Sequence, residues 1–360
     1  MGFYRAHTRH ATKKKPALSR LVDPCGFYTI EGGLSCFLIF FDGLLQGIFR
    51  RGTYRRGGNR EIRLIHLGTN GWLFLTGGTN TVLQYYTSSE HFSDEQCDLW
   101  CELIERRARR AADLGISDYF HVIAPDKLSV YPEFFRGDLP FAWRAPSRLL
   151  PARMSTPALL DVLPDLMRAK QRGRLLYWKT DSHWSFDGVF VVYSAICERL
   201  GIKPMVEIKD YPSIDRVMAL DLGSKLDPPV TELHSVRTCC KNARRTYYNE
   251  IVHYNQQLTV MHQGAYVIFK NARPRDPRTV FLVGDSFAEF RPSLLTGLLA
   301  ETFASVHFVW HSNVDWNLVG RIMPDILITE IAERFMNVIP DDELNLEELV
   351  AHRIAAAKVS

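Results

Sequence analysis

A serine hydroxyl is a weak nucleophile until a base takes its proton. A histidine serves as that base best when a carboxylate fixes its tautomer and orientation. Two short strings supply these groups, Thr180-Asp181-Ser182-His183-Trp184 and Val283-Gly284-Asp285-Ser286-Phe287. Asp181 and His183 are two apart, so in an extended loop both side chains leave on one side, which suits a carboxylate-to-imidazole hydrogen bond. Ser286 follows the apolar run Thr279-Val280-Phe281-Leu282-Val283. We therefore expect Asp181, His183 and Ser286 to form a Ser-His-Asp system. Their chain order is no objection, because the same constellation occurs in several orders on unrelated folds. Each string has a bland rival. Gly284-Asp285-Ser286 alone reads as a strand-to-helix turn with a capping serine, and His183 as a histidine that caps or packs. Trp184, beside the imidazole, reads equally as core bulk or as part of a substrate wall.

The elements that must hold these strings follow from periodicity. From about residue 61, strand and helix patterns alternate, which favours an α/β sheet covered on both faces. Ser93 to Gly115 predicts a helix: Ser93 and Gln96 make a capping-box pattern, Gly115 is a natural stop, and Cys97, Trp100, Cys101, Ile104, Ala108 and Ala111 recur at helical spacing. Asp118–Ala124 reads as a strand, and Thr156–Arg172 as a helix interrupted or kinked at Pro164. Leu175–Lys179 reads as a short strand delivering the Asp181-His183 loop, with Ser185 capping the helix that runs on to Gly201. Residues 202–278 are irregular, with candidate strands at Glu232–Thr238 and Ala265–Lys270. Thr279–Val283 is a strand and Phe287–Phe303 a helix. Val306–Trp310 and Ile326–Thr329 are strands, and Asp341–Lys358 is a terminal helix. Ser286 would then stand at a strand's carboxyl end and a helix start, where ligands bind in open α/β sheets and unpaired N–H groups suit a developing oxyanion. A second oxyanion donor is not assigned. Asn313, after a strand end, is a candidate, and Trp310, with His311 and Trp316 nearby, offers a sugar platform whose rival reading is strand-edge packing.

The two strings resemble the SGNH-hydrolase-like domain of the alginate O-acetyltransferase family of AlgX and AlgJ. Three further stretches fit it: Gly68-Thr69-Asn70-Gly71-Trp72-Leu73-Phe74-Leu75; Ala124-Pro125-Asp126-Lys127 through Tyr131-Pro132-Glu133; and Pro324-Asp325-Ile326-Leu327-Ile328 through Glu330, Glu333 and Arg334. The resemblance spans roughly residues 66 to 338. It implies a three-layer α/β SGNH-hydrolase-like sheet covered by helices, with Asp181, His183 and Ser286 on the family's catalytic positions. It also implies O-acetylation of polysaccharide hydroxyls through an acyl-enzyme. The implied partners are a polysaccharide acceptor and an acetyl donor, passed on by a membrane acyltransferase. No cofactor and no metal are expected. Carbohydrate O-acetylesterase activity with the same triad stays open, as does a polysaccharide-binding or assembly module with a vestigial triad.

Composition sets the outer bounds. The chain has 360 residues, 46% hydrophobic and 23% charged, with a net charge of +4, ordinary for a globular protein with a large core. Basic residues cluster at Lys13-Lys14-Lys15, Arg50-Arg51, Arg55-Arg56, Arg106-Arg107 and Arg109-Arg110. They read as solvated surface or as an attractor of acidic polymer; no nucleic-acid recognition module is present. Seven cysteines make no disulfide framework. The first 20 residues are basic and polar and do not read as a signal peptide, and no run reaches the length of a membrane span. That leans to the cytoplasm, whereas the resemblance implies the periplasm. Residues 1–60 are expected to be a tail plus a small β segment: Leu34–Phe41 and Leu44–Phe49 around Asp42-Gly43 form a hairpin pattern that would pack on the main domain through Phe37, Ile39 and Phe41 or through the alternate face. Residues 61–360 form the catalytic domain.

Overall fold

Three mostly apolar segments buried on both faces set the architecture. In Ile326–Ala332 all seven residues are buried, in Asp118–Ala124 all but the first, and in Asp276–Gly284 the last five. Strands buried on both faces belong in the middle of a parallel sheet flanked by helices. The computed structural model describes residues 64–78, 80–204, 213–237, 241–255 and 262–359, and the backbone of 21–22 and 28–29. Its strands are β1 (Leu21–Val22), β2 (Tyr28–Thr29), β3 (Ile65–Leu67), β4 (Leu73–Leu75), β5 (Asp118–Ala124), β6 (Leu159–Leu160), β7 (Ser213–Met218), β8 (Glu232–Arg237), β9 (Ala243–Tyr248), β10 (Tyr266–Asn271), β11 (Asp276–Gly284), β12 (Phe303–Trp310) and β13 (Ile326–Ala332). The helices are α1 (Gln84–Thr87), α2 (Asp94–Asp113), α3 (Lys127–Val130), α4 (Pro146–Arg153), α5 (Leu163–Gln171), α6 (Phe186–Arg199), α7 (Glu250–Asn255), α8 (Leu295–Thr302), α9 (Trp316–Ile322) and α10 (Leu346–Val359).

The central sheet has the order β6-β5-β13-β11-β12-β10-β9. Its first five strands are parallel, and β10 and β9 join antiparallel. Pairing of Ala332 with Ala124 and of Gly284 with Trp310 brings the carboxyl ends of β5, β13, β11 and β12 to one edge. Helices α2 and α4 pack on β5, and α8 on β12, with α6 resting on α8 and α5. No described helix is long and apolar enough to cross a membrane.

Several sequence expectations hold. Helix α2 is capped by Ser93, whose hydroxyl accepts the Gln96 N–H while the Gln96 side chain accepts the Ser93 N–H. Ser185 caps α6 through the Gly188 N–H. Cys97 and Cys197 are buried and Cys101 half-buried, all as free thiols.

Others need correction. The helix expected over Phe287–Phe303 begins only at Leu295. Pro292 has no N–H and its ring crowds the preceding turn, so residues 287–294 form successive turns instead. Ser286 therefore lies in a turn, not at a helix start. The helix expected over Thr156–Arg172 is confined to α5, where Pro164 occupies the first turn and starts the helix rather than kinking it. Leu175–Lys179 reduces to one bridge, Tyr177 to Trp184, because the chain folds straight back on itself. Strands β7 and β9 escape the sequence reading. Within the basic run, Arg107 is no solvated residue. It is 1% exposed, grips Asp342 at 2.6 and 2.9 Å, and donates to the Ser312 carbonyl at 2.8 Å. The hairpin expected at 34–49, and the runs at 13–15, 50–51 and 55–56, lie outside the described residues.

Candidate active site

Ser286 leaves the sheet where β11 ends, and its turn is tied down on both sides. The Asp285 carboxylate accepts the Phe287 N–H at 2.9 Å and the Ala332 N–H at 2.7 Å, locking the turn to the end of β13. Glu330, inside β13, accepts the Asp285 N–H at 3.1 Å. Gly284 makes this closeness feasible: a Cβ there would stand 2.8 Å from the Ala288 Cβ and 2.8 Å from Glu330 Oε2. Burial, then the charge on Asp285, pushes the Glu330 carboxyl well above its usual range. A protonated Glu330 spares this region a second buried negative charge.

The second loop, residues 179–184, is braced from four directions. Leu73 donates its N–H to the Lys179 carbonyl at 2.9 Å. Lys127 puts its ammonium on the Leu73 carbonyl at 2.7 Å and the Lys179 carbonyl at 3.0 Å, and its charge also faces the Trp72 and Phe74 rings. Burial brings Lys127 down to about 8. Glu232 accepts the Thr180 N–H at 2.6 Å, the Thr180 hydroxyl at 2.7 Å and the Lys179 N–H at 3.1 Å. Arg334 donates to the Ser182 carbonyl at 3.0 Å while pairing with Asp126 at 2.6 Å. Leu73 of the Gly-Trp-Leu-Phe block, Lys127 of the Pro-x-Lys strand end and Arg334 of the closing Glu-Arg pair thus converge on the backbone of one loop.

These supports bring three side chains into line. Asp181 Oδ1 lies 2.8 Å from His183 Nδ1 and also accepts the His183 N–H at 2.8 Å. A carboxylate can only accept here, so Nδ1 carries the proton and Nε2 is the free base. Nε2 stands 2.9 Å from the Ser286 hydroxyl, which donates to it. Burial alone would raise the Asp181 carboxyl, but the hydrogen bond and charge contact with His183 outweigh it and hold Asp181 below the usual carboxylate range. Trp184 donates Nε1–H to the Phe287 carbonyl at 3.1 Å, fastening the histidine loop to the serine turn.

The three open into a cavity of about 310 Å³. Trp178, Phe186 and Met218 give it an apolar wall; Lys225, His234, Arg237 and Arg291 give it a basic one. Trp184 also lines it. Trp310 and Asn313 do not. Trp310 is buried and stacks on His262 at 4.4 Å, and the Asn313 side chain accepts the Asp342 N–H at 3.2 Å. The sequence reading missed Asp221, Glu232, His234, Arg237 and Arg291. Asp221 sits in the irregular stretch, Glu232, His234 and Arg237 sit on the strand expected from Glu232, whose part in a site nothing in its sequence marked, and Arg291 lies in the segment expected to be helix.

Among the described residues, Asp181, His183 and Asp221 bring ligand-type atoms within 4.8 Å of one another. Their contacts engage them otherwise. Nδ1 is protonated against Asp181, and both Asp221 oxygens accept donors from Ser182 at 2.7 and 2.6 Å. The donor set reads as a proton-handling cluster.

A mostly parallel sheet with a hydrogen-bonded Asp, His and Ser at its carboxyl edge is the architecture of an SGNH-hydrolase-like domain. Residues 65–312 match the family described as SGNH hydrolase-like domain, acetyltransferase AlgX, and the chain belongs to that family. Among solved structures, Bacillus cereus PatB1 superposes with a TM-score of 0.51 at 11% identity, over 76% of this chain and 99% of that one. The O-acetyltransferase domain of Pseudomonas putida AlgJ gives 0.45 at 17%, over 81% and 99%. Pseudomonas aeruginosa AlgX gives 0.40 at 15%, over 76% and 63%. No curated protein matches the sequence.

Proposed function

We propose that this chain transfers acetyl groups to polysaccharide hydroxyls through an acetyl-Ser286 intermediate. The carrying observation is the unbroken relay from Asp181 through His183 to Ser286, at 2.8 and 2.9 Å. As the Ser286 oxygen attacks the carbonyl carbon of an acetyl ester, Nε2 takes its proton. The bond from that carbon to the donor oxygen breaks, and the imidazolium returns the proton to the leaving oxygen. A sugar hydroxyl then attacks the acetyl-serine, giving its proton to His183; the bond from the acyl carbon to the Ser286 oxygen breaks, and the imidazolium returns the proton to that oxygen, restoring Ser286. Asp181 orients the ring and favours the imidazolium at each step. The Ser286 backbone N–H has no hydrogen bond among the described residues, and we assign it to the oxyanion. The basic and aromatic walls supply the acceptor's seat, with Trp184 as a structural part of it; Trp310 and Asn313 are left out of the proposal.

The same relay would serve hydrolysis, so the acceptor decides. Incubation with an acetyl ester and an oligosaccharide, followed by mass analysis of the sugar, tests the proposal. Acetylated sugar, lost on Ser286→Ala substitution, is expected; free acetate alone would favour the esterase. The His183–Ser286 contact supports a working centre over a vestigial one.

A further inference from the structure

Asp221 follows β7 in a segment that shows no periodicity, yet it is pressed against the residue between Asp181 and His183. Its Oδ1 accepts the Ser182 N–H at 2.7 Å and its Oδ2 the Ser182 hydroxyl at 2.6 Å. That hydroxyl is 3.3 Å from His183 Nδ1, and Asp221 Oδ2 is 3.9 Å from the same nitrogen. The Asp221 side chain is 7% exposed. Its segment is strapped to the loop: Leu222 and Gly223 both donate to the Thr180 carbonyl at 3.0 Å. Gly223 is needed for that seat, since a Cβ there would lie 2.1 Å from the Val230 carbonyl oxygen.

We propose that Asp221 is a second positioning carboxylate for His183. Through Ser182 it holds the Asp181–His183 turn in register, and its charge adds to that of Asp181 in favouring the imidazolium. The proposal rests on reading Asp181, His183 and Ser286 as the reaction centre.

The division of labour follows from the donors. Asp181 accepts two N–H groups of His183 and so fixes the ring directly. Asp221 is held off by the Ser182 hydroxyl and cannot take the Nδ1 proton itself, but at this distance, with both side chains largely buried, its field still acts on the ring. Burial, then the charge on Asp181, pushes the Asp221 carboxyl up, so its field acts fully only above its own titration. The other charged or titratable groups acting on this cluster are Asp181, Asp285, Lys127, Lys225, His234 and Arg334.

Asp221→Asn removes the charge while keeping an acceptor for the Ser182 N–H. The test follows the His183 imidazole by NMR across pH, with and without Asp221→Asn, in a Ser286→Ala background. Beside it runs the rate of p-nitrophenol release from p-nitrophenyl acetate in the chain that retains Ser286. The titration midpoint is expected to fall by about one to three pH units, since a unit charge near 4 Å is worth roughly 1 kcal/mol at the dielectric of water and roughly 4 kcal/mol at an effective dielectric near 20. Acylation should slow at least about tenfold, with thermal melting little changed. An unmoved midpoint with an unchanged rate overturns the proposal. A wild-type chain that forms no acetyl-serine, while the midpoint still moves, keeps Asp221 as the electrostatic partner of His183 and overturns the catalytic reading instead. Should Asp221→Asn fail to fold, Ser182→Ala keeps both carboxylates and removes the bridging hydroxyl. A slowed acylation at wild-type melting temperature then supports the bridge, and a wild-type rate overturns it.

Discussion

Replacing Arg334 with Met should destabilise the chain in a way that depends on pH, and the sign can be worked from the buried pair it breaks. Arg334 and Asp126 are 5% and 4% exposed and 2.6 Å apart. Even with this partner, burial raises Asp126 to about 6 from 3.8, so desolvation outweighs the ion pair. Between these two values the folded chain holds more protons at Asp126 than the unfolded chain. The group therefore costs stability as pH rises through that window. About two pH units at 1.36 kcal/mol each make roughly 3 kcal/mol. Met has similar bulk but no charge, and it leaves Asp126 buried beside Glu333 and Asp285 with no counter-charge. At pH 7.5 the loss should be about 3–5 kcal/mol, the cost of breaking a buried pair from one side. Near pH 5 a proton on Asp126 relieves much of it. Urea unfolding of the wild type and Arg334→Met at both pH values measures this, and Asp126→Asn in the variant should recover most of the loss at pH 7.5. A penalty equal at the two pH values, with no recovery from Asp126→Asn, would refute the reasoning.

Two further outcomes follow from the same geometry. Asp181→Asn should lower kcat by about four orders of magnitude with an unchanged circular dichroism spectrum, because an amide no longer enforces the tautomer that leaves Nε2 free; a loss below about tenfold would contradict that role. Gly284→Ala forces a methyl against Glu330 and Ala288, which should lower stability by about 1–3 kcal/mol in urea unfolding and slow acylation by shifting the Ser286 turn; wild-type values in both measurements would show that the turn has slack.

Much of this was legible where a segment decides its own structure. The central strands announce themselves as mostly apolar runs, because a strand covered on both faces favours apolar side chains, with His121, Thr329 and Glu330 as buried polar exceptions. Helix α2 carries its start in Ser93 and Gln96. Asp181, His183 and Ser286 could be paired because two short strings held them. What stayed hidden depends on partners distant in sequence. Asp221 and Glu232 act by accepting backbone N–H groups of residues 179–182, and nothing in their own neighbourhoods records that. Strands β7 and β9 are largely exposed along their length, so they lack the apolar alternation that marks a strand. The helix expected after Ser286 failed for a local reason that apolar spacing masked: Phe287, Phe290 and Leu294 suit a helix face, yet Pro292 breaks it. Trp310 and Asn313 failed for a topological one. The chain after β12 turns away to meet Arg107 and Asp342, which a strand-end argument does not foresee.

The central claim is that Ser286, activated by His183, carries the acetyl group. Its most direct test is rapid quenching after mixing with an acetyl ester, then peptide mass spectrometry of wild type, Ser286→Ala and His183→Ala. One acetyl group on the peptide containing Ser286 is predicted in the wild type and in neither variant. An unmodified Ser286 peptide while the donor is consumed, or the same acetylation in the His183→Ala chain, would contradict it.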